Sequence, residues 1–441
     1  MALNFKFFNR KKSSSKMNGW LALSPLFVFM TIYLISAVVA GDIYAVPVSV
    51  AFIFACVYAF IITHRHETTT HTLEIFSSGA GDQNILLMIW VVVLAGAFAS
   101  TSKSIGSIDA VTDLITAYLP GPMLYVGLFI ASCLISMAIG TNIGTIVALV
   151  PIVVGVAEKT DYNLAFMAAI VVGGGSFGDN LSFISDTTIA ATSLLGCEMK
   201  DKFRANIRIV TPAAFIVALI YIVMGIGVEM PHEAVETIHW TTLIPYFVTI
   251  LLASLGINVV TVLTFGILLN GVIGIIIGNY TALDWMRAIS EGVAGMNELI
   301  LVMMMAGGML EIVRYNGGID FLVNKITSRV SGKRGAEFSI AAMVSAATFA
   351  TANNTIAILT TGKIAKNICE KHNLNPIKVA SILDTFSCSI QSILPYGMHV
   401  LMASALAEVS VLSIIKNLYY PLILLVVASV AILLRLPKKY S

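Results

Sequence analysis

Two aspartates and five hydroxyls interrupt an otherwise apolar stretch of chain, Gly173-Gly174-Gly175-Ser176-Phe177-Gly178-Asp179-Asn180-Leu181-Ser182-Phe183-Ile184-Ser185-Asp186-Thr187-Thr188. Apolar runs flank it on both sides, at 164–172 and 189–195. Carboxylates, hydroxyls and freed backbone carbonyls are the ligands a hard cation takes. Ionised groups at membrane depth are costly and usually face a cavity or an ion pathway. Each glycine in a helix interior costs roughly 1 kcal/mol against alanine, so the triple glycine predicts a break in the helix. These residues therefore point to a cation site on broken helices, with Asp179, Asp186, Ser182 and Thr187 as its ligands.

Three further polar clusters have the same character. Gly140-Thr141-Asn142-Ile143-Gly144-Thr145 lies within a 44-residue stretch, 114–157, that holds no Asp, Glu, Lys or Arg. Thr351-Ala352-Asn353-Asn354-Thr355 is the second, and Asp384 through Ser389 and Gln391 to Pro395-Tyr396-Gly397 is the third. Each sets oxygen ligands beside a helix breaker or an amide pair. The expected ligand set therefore adds Asp384 as a third carboxylate. Thr141, Asn142, Thr145, Thr351, Asn353, Asn354, Thr355, Ser389 and Gln391 are expected to support it. A desolvated carboxylate holds its proton more tightly, and a nearby cation opposes this. A site that takes either a proton or sodium, opened to each side in turn, would exchange the two.

The elements that must carry these residues are membrane helices. Of 441 residues, 58% are hydrophobic and 11% charged, against about 25% charged in soluble domains. The reading is an all-α polytopic membrane protein. A net charge of +2 gives no reason to expect a nucleic-acid partner. The five cysteines show no paired spacing and read as small buried side chains, with no disulfide, metal cluster or cofactor expected. Spans of about 20 apolar residues fall at 18–38, 44–63, 85–102, 122–139, 209–228, 241–255, 258–278, 294–313, 338–362 and 414–434. The regions 164–195 and 379–406 are interrupted and read as re-entrant hairpins.

Orientation follows the Lys/Arg bias. Arg10, Lys11, Lys12 and Lys16 set the N-terminus inside, with the 197–208 loop (Lys200, Lys202, Arg204, Arg208). Lys325, Arg329, Lys333, Arg334 and the C-terminal Arg435, Lys438 and Lys439 are inside as well. The stretch from Glu229 to Trp240, without Lys or Arg, is outside, and the 363–378 loop with four lysines falls there too. Expected, then, is a multi-pass protein of the cell membrane with both termini cytoplasmic. Sodium, protons and the bilayer are its partners, and a homodimer is the expected assembly if there is one.

The chain also repeats itself. Ala95-Gly96-Ala97-Phe98 aligns with Ala306-Gly307-Gly308-Met309, and Lys103, Gly106 and Asp109 meet Arg314, Gly317 and Asp320. Thr141 and Thr145 meet Thr351 and Thr355 at an offset of 210. The charge bias makes the copies inverted, an architecture of secondary transporters with discontinuous helices. The expected organisation is a tail at 1–17, a first repeat at 18–228, a loop at 229–240, a second repeat at 241–434 and a tail at 435–441. Glu311 beside Arg314 reads as an ion pair or a gate. His64, His66 and His71 read as a solvated loop, and His399 as a proton relay or a packed, hydrogen-bonded side chain. An aspartyl protease is disfavoured by the spacing around Gly178-Asp179, and a channel by the lack of a filter of repeated carbonyl loops.

These motifs resemble the NhaC-type sodium/proton antiporter family. Gly178-Asp179, Leu181-Ser182 and Ser185-Asp186-Thr187-Thr188 resemble its GD-x-x-S-P-x-S-D-T-T signature. Gly140-Thr141 with Gly144-Thr145 resembles its GTS-x-GT segment, and Ser392 with Leu394-Pro395-Tyr396 its S-P-L-I-P-W segment. Asn142, Phe183 and Tyr396 depart from the family's Ser, Pro and Trp. The resemblance implies a sodium-linked carrier that is not an enzyme. Sodium/proton exchange is the first expectation, and coupled transport of a small organic anion or amino acid is the alternative.

Overall fold

In a computed structural model, residues 17–40, 47–118, 120–160, 162–183, 185–226, 240–255, 257–278, 280–327 and 332–440 are described. Arg10, Lys11, Lys12, Lys16, Arg329 and nearly all of the 229–240 loop lie outside them. Among the described residues there are 21 α-helices and no strand. They are α1 (Gly19–Ala40), α2 (Val48–His64), α3 (Thr69–Ala80), α4 (Gln83–Ser104), α5 (Ser107–Tyr118), α6 (Leu124–Ile139) and α7 (Asn142–Lys159). There follow α8 (Leu164–Leu181), α9 (Asp186–Leu195), α10 (Met199–Gly225), α11 (Trp240–Ser254), α12 (Val259–Ile276), α13 (Ala282–Gly295) and α14 (Asn297–Tyr315). The last are α15 (Gly318–Thr327), α16 (Gly332–Thr351), α17 (Asn354–Lys371), α18 (Pro376–Ile393), α19 (Met398–Ala407), α20 (Val411–Ile415) and α21 (Tyr419–Leu433). Among the described residues seven helical segments are long and apolar enough to cross a membrane, eight if α13 and α14, bent by 40°, count as one. Four shorter apolar helices accompany them.

The chain divides into two compact units, residues 1–86 with 301–329 and residues 87–300 with 330–441. The smaller unit packs α1 against α2 and α15, with Trp20 edge-on to Phe321. His71, expected in a loop, lies on α3, its ring nitrogens 3.2 Å from Glu74 and 3.3 Å from the Tyr315 hydroxyl. Glu311 and Arg314, read as an ion pair or a gate, lie 2.9 Å apart on α14.

The larger unit carries all four polar clusters. Helices α7, α8 and α9 recur as α17, α18 and α19, beginning at 142, 164 and 186 and again at 354, 376 and 398, each 212 residues later. Each copy also ends 212 residues after its original. Helix boundaries thus shift the alignment by two from the offset of 210, so that Thr141 meets Asn353 and Asp179 meets Gln391.

The triple glycine does not break its helix. Helix α8 runs on through Gly173–Gly175 to Leu181, and the break falls between it and α9. The glycines instead let α6 approach: a Cβ on Gly174 would lie 2.9 Å from the Phe129 carbonyl, and one on Gly178 only 2.5 Å from the Met137 amide nitrogen. Ser136 Oγ donates to the Gly175 carbonyl at 2.6 Å across the same seam. Small residues at close helix crossings are how membrane helices gain packing contacts. Gly178→Ala is accordingly expected to cost about 1–3 kcal/mol by overpacking, read as an earlier thermal transition of the purified protein.

The regions 164–195 and 379–406, expected as re-entrant hairpins, count instead among the seven candidate spans, as Leu164–Leu195 and Pro376–Ala407. Three other stretches also differ from the sequence expectation. The 338–362 span is two helices, parted at Ala352, whose φ is +49°, and Asn353. The 197–208 loop is the start of α10, continuous from Met199 to Gly225. The 363–378 loop is the end of α17, a short turn and the start of α18. Within it Lys378 is buried, 2.9 Å from the buried Glu337 of α16. Removing one member of a buried ion pair costs about 3–5 kcal/mol, whereas replacing both with apolar groups is often neutral. Glu337→Gln should therefore destabilise the protein by that amount. Glu337→Met with Lys378→Met should lie near wild type in the same unfolding assay.

Candidate functional site

The site forms where two helix breaks of the larger unit meet. Asn163 and Asn375 cap the N-termini of α8 and α18, and Thr141 and Asn353 cap α7 and α17. These caps satisfy the backbone at each break through side-chain oxygens, for example Asn353 Oδ1 accepting from the Ile356 amide at 2.9 Å. Asp179 lies near the end of α8 and Asp384 midway along α18.

Both carboxylates are buried, Asp384 wholly and Asp179 with 7% of its surface exposed. Asp179 Oδ1 accepts from Ser185 Oγ at 2.6 Å, and Ser185 Oγ lies 2.9 Å from Thr187 Oγ1. Asp179 Oδ2 accepts from Asn354 Nδ2 at 3.4 Å. Between the two aspartates stands Cys388, one turn beyond Asp384. Its Sγ is 3.6 Å from Asp179 Oδ2, 3.5 Å from Asp384 Oδ1 and 3.8 Å from Thr187 Oγ1. The thiol reads from sequence as mere packing, yet it bridges α8 and α18.

The second surprise is Lys202. Placed by its charge in a cytoplasmic loop, it is 1% exposed and forms an ion pair with Asp384 Oδ2. Its ammonium also donates to the Asn180 carbonyl at 2.8 Å and to Thr188 Oγ1 at 2.7 Å. Asn206, one turn along α10, donates to the same Asn180 carbonyl at 3.0 Å and to Asp384 Oδ2 at 3.1 Å. A sequence signal for both existed: Lys202, Asn206, Ile209, Ala213 and Val217 recur at helical spacing and are all buried. The cluster thus holds two carboxylates and one ammonium.

A second polar cluster, without carboxylates, sits at the other pair of breaks. Asn142 Nδ2 is 3.0 Å from Ser176 Oγ and 3.2 Å from His399 Nδ1. Ser176 Oγ is 2.5 Å from Ser392 Oγ, which is 3.2 Å from His399 Nδ1. This gives His399 a buried, hydrogen-bonded setting. Gln391 is buried beside the 394–397 break, with no hydrogen-bond partner for Oε1 among the described residues.

The remaining expected ligands fall in two groups. Thr145, Thr351 and Ser389 donate to backbone carbonyls of their own helices, Thr141, Ala347 and Thr385 respectively. Ser182 is buried at the α8 C-cap, its amide donating to Gly178, and the Thr355 amide donates to Asn354 Oδ1. Asp186 is exposed at the first position of α9, where a carboxylate favours the helix N-terminus. Glu311 and Arg314 belong to the other compact unit.

An all-helical, multi-pass membrane protein with buried carboxylates at paired helix breaks has the architecture of a secondary transporter. The model of the Na+/H+ antiporter family matches residues 11–226 and 233–437, and the chain belongs to that family. It is 24% identical over 365 residues to the Na(+)/H(+) antiporter NhaC of Bacillus subtilis (strain 168), covering 74% of this chain and 78% of that one. It is also 25% identical over 228 residues to the malate-2H(+)/Na(+)-lactate antiporter of the same organism, 49% of this chain and 48% of that one. Among solved structures, the YdaH transporter of Alcanivorax borkumensis aligns with a TM-score of 0.42 at 13% identity, over 89% of this chain and 98% of that one.

Proposed function

We propose that the protein exchanges sodium for protons across the membrane by alternating access, with Asp179 as the group that carries either cation. One observation carries this reading: the buried cluster has two aspartates against a single lysine. Uncompensated charge in a low-dielectric interior is costly. Since Lys202 neutralises Asp384, one negative charge remains, and it calls for one monovalent cation. Oxygens of Asp179, Thr187 and Ser185, with the Asn354 amide oxygen on rotation of its side chain, form a donor set suited to sodium, while a proton satisfies the same carboxylate alone. Asp186, exposed at the start of α9, would draw cations toward the site.

The 212-residue recurrence supports two repeats, here taken as 18–228 and 241–434 and as inverted, with both termini cytoplasmic. Rocking of one repeat against the other would expose Asp179 to each side in turn. The hydrogen-bonded Asn142–Ser176–Ser392–His399 cluster supports a second reading, in which a small organic anion travels with sodium or protons, as the name of the malate/lactate relative suggests. Proteoliposomes with a trapped pH dye separate the two. Sodium alone should move protons under the first reading, whereas a strict requirement for an added hydroxy- or dicarboxylate would replace it with the second.

A further inference from the structure

The oxygens around the Lys202 ammonium are those of a cation site. A carboxylate (Asp384), a backbone carbonyl at the end of α8 (Asn180) and a hydroxyl on α9 (Thr188) all converge on Nζ. Both lysine and protein partners are buried, so water does not compete for these bonds. Asn206 reaches two of the same acceptors from the same face of α10. The buried Oδ1 atoms of Asn180 and Asn206 have no hydrogen-bond partner among the described residues. Cys388 Sγ then links Asp384 to Asp179, so the lysine-bound carboxylate and the uncompensated one belong to a single cluster.

We infer that Lys202 is a tethered cation that occupies Asp384 and opposes the transported cation at Asp179, and so sets the affinity of the site. This rests on the exchange reading above. With Asp179 vacant, the ammonium holds Asp384 and joins α8, α9 and α10 to α18. A cation entering beside Asp179 meets the field of the ammonium a short way off, which weakens its binding and lets it leave on the far side. Asp384 then need not be stripped bare during the return of the empty carrier, because its counter-ion never leaves the protein. Tight, unopposed binding would slow release, so the lysine trades affinity for turnover.

The test compares Lys202→Gln with Lys202→Arg in proteoliposomes, measuring proton movement against external sodium. Size-exclusion profiles establish that each variant is folded. Lys202→Gln leaves two uncompensated carboxylates, and the sodium concentration for half-maximal exchange should fall by about tenfold or more, equivalent to about 1.4 kcal/mol, while the maximal rate also falls. Lys202→Arg keeps the charge and should retain half-saturation within a few-fold of wild type. If Lys202→Gln is too unstable to reconstitute, sodium-dependent thermal stabilisation in detergent gives the same comparison, with the midpoint concentration of sodium shifted downward. An unchanged or raised sodium requirement in Lys202→Gln, with only stability lost, would overturn the role of the lysine. Absence of sodium-driven proton movement in the wild type would instead overturn the exchange reading itself.

Discussion

Asp179→Asn should abolish sodium-dependent proton movement while leaving the protein at least as stable as wild type. The two halves of this result have separate causes. The amide cannot release a proton and adds no charge to attract sodium, so nothing remains to exchange. Its carbonyl can still accept from Ser185 Oγ, which now donates to Oδ1 at 2.6 Å. The negative charge removed is the one without a lysine, and a buried charge without a partner is a liability to folding. Unfolding of the variant in detergent should therefore lie at or above the wild-type midpoint, and sodium should no longer raise it. Loss of transport together with loss of stability would mean that Asp179 is paired in the folded protein.

Asp384→Asn should behave in the opposite way. It strands the Lys202 ammonium, 1% exposed, with a hydroxyl and a carbonyl but no counter-charge. Breaking a buried pair from one side costs about 3–5 kcal/mol, so the variant should unfold at markedly lower denaturant or temperature. Adding Lys202→Met should return most of that stability, because the second charge is then gone as well. The double variant should still lack normal sodium exchange, because the site that shares Cys388 with Asp179 has been rebuilt. A double variant no more stable than Asp384→Asn alone would show that the pair does not hold α10 to α18 in the way the geometry requires.

These contrasting outcomes follow from residues of unequal legibility. Asp179 and Asp384 can be read from sequence because a carboxylate in an apolar run is costly and needs a reason. So can Asn354, through the helix-breaking pair in which it stands. Lys202 is hidden by the very rule that orients membrane helices: a basic cluster beside a span reads as a loop, and only the helical spacing with Asn206 and Ile209 reveals one lysine turned inward. Cys388 is hidden for a different reason: set between Ser387 and Ser389, whose hydroxyls draw the eye, its thiol has no signature until its two carboxylate contacts are known. The triple glycine misleads through propensity. Its cost in an isolated helix is outweighed here by the approach of α6, so the helix continues to Leu181 before it breaks. The side-chain matches at an offset of 210 do not give the 212-residue spacing of the helix boundaries, because few side chains are shared and the caps at that spacing, Thr141 and Asn353, differ in type.

The most direct measurement is the number of protons released when sodium is added to the purified protein in weakly buffered detergent solution, at a pH where Asp179 is protonated. Cation binding to a protonated ligand set must expel the proton. Wild type should release about one proton for each sodium bound, as a single uncompensated carboxylate demands, and Asp179→Asn should release none. Sodium binding without proton release in the wild type, or equal release from Asp179→Asn, would contradict exchange at this carboxylate.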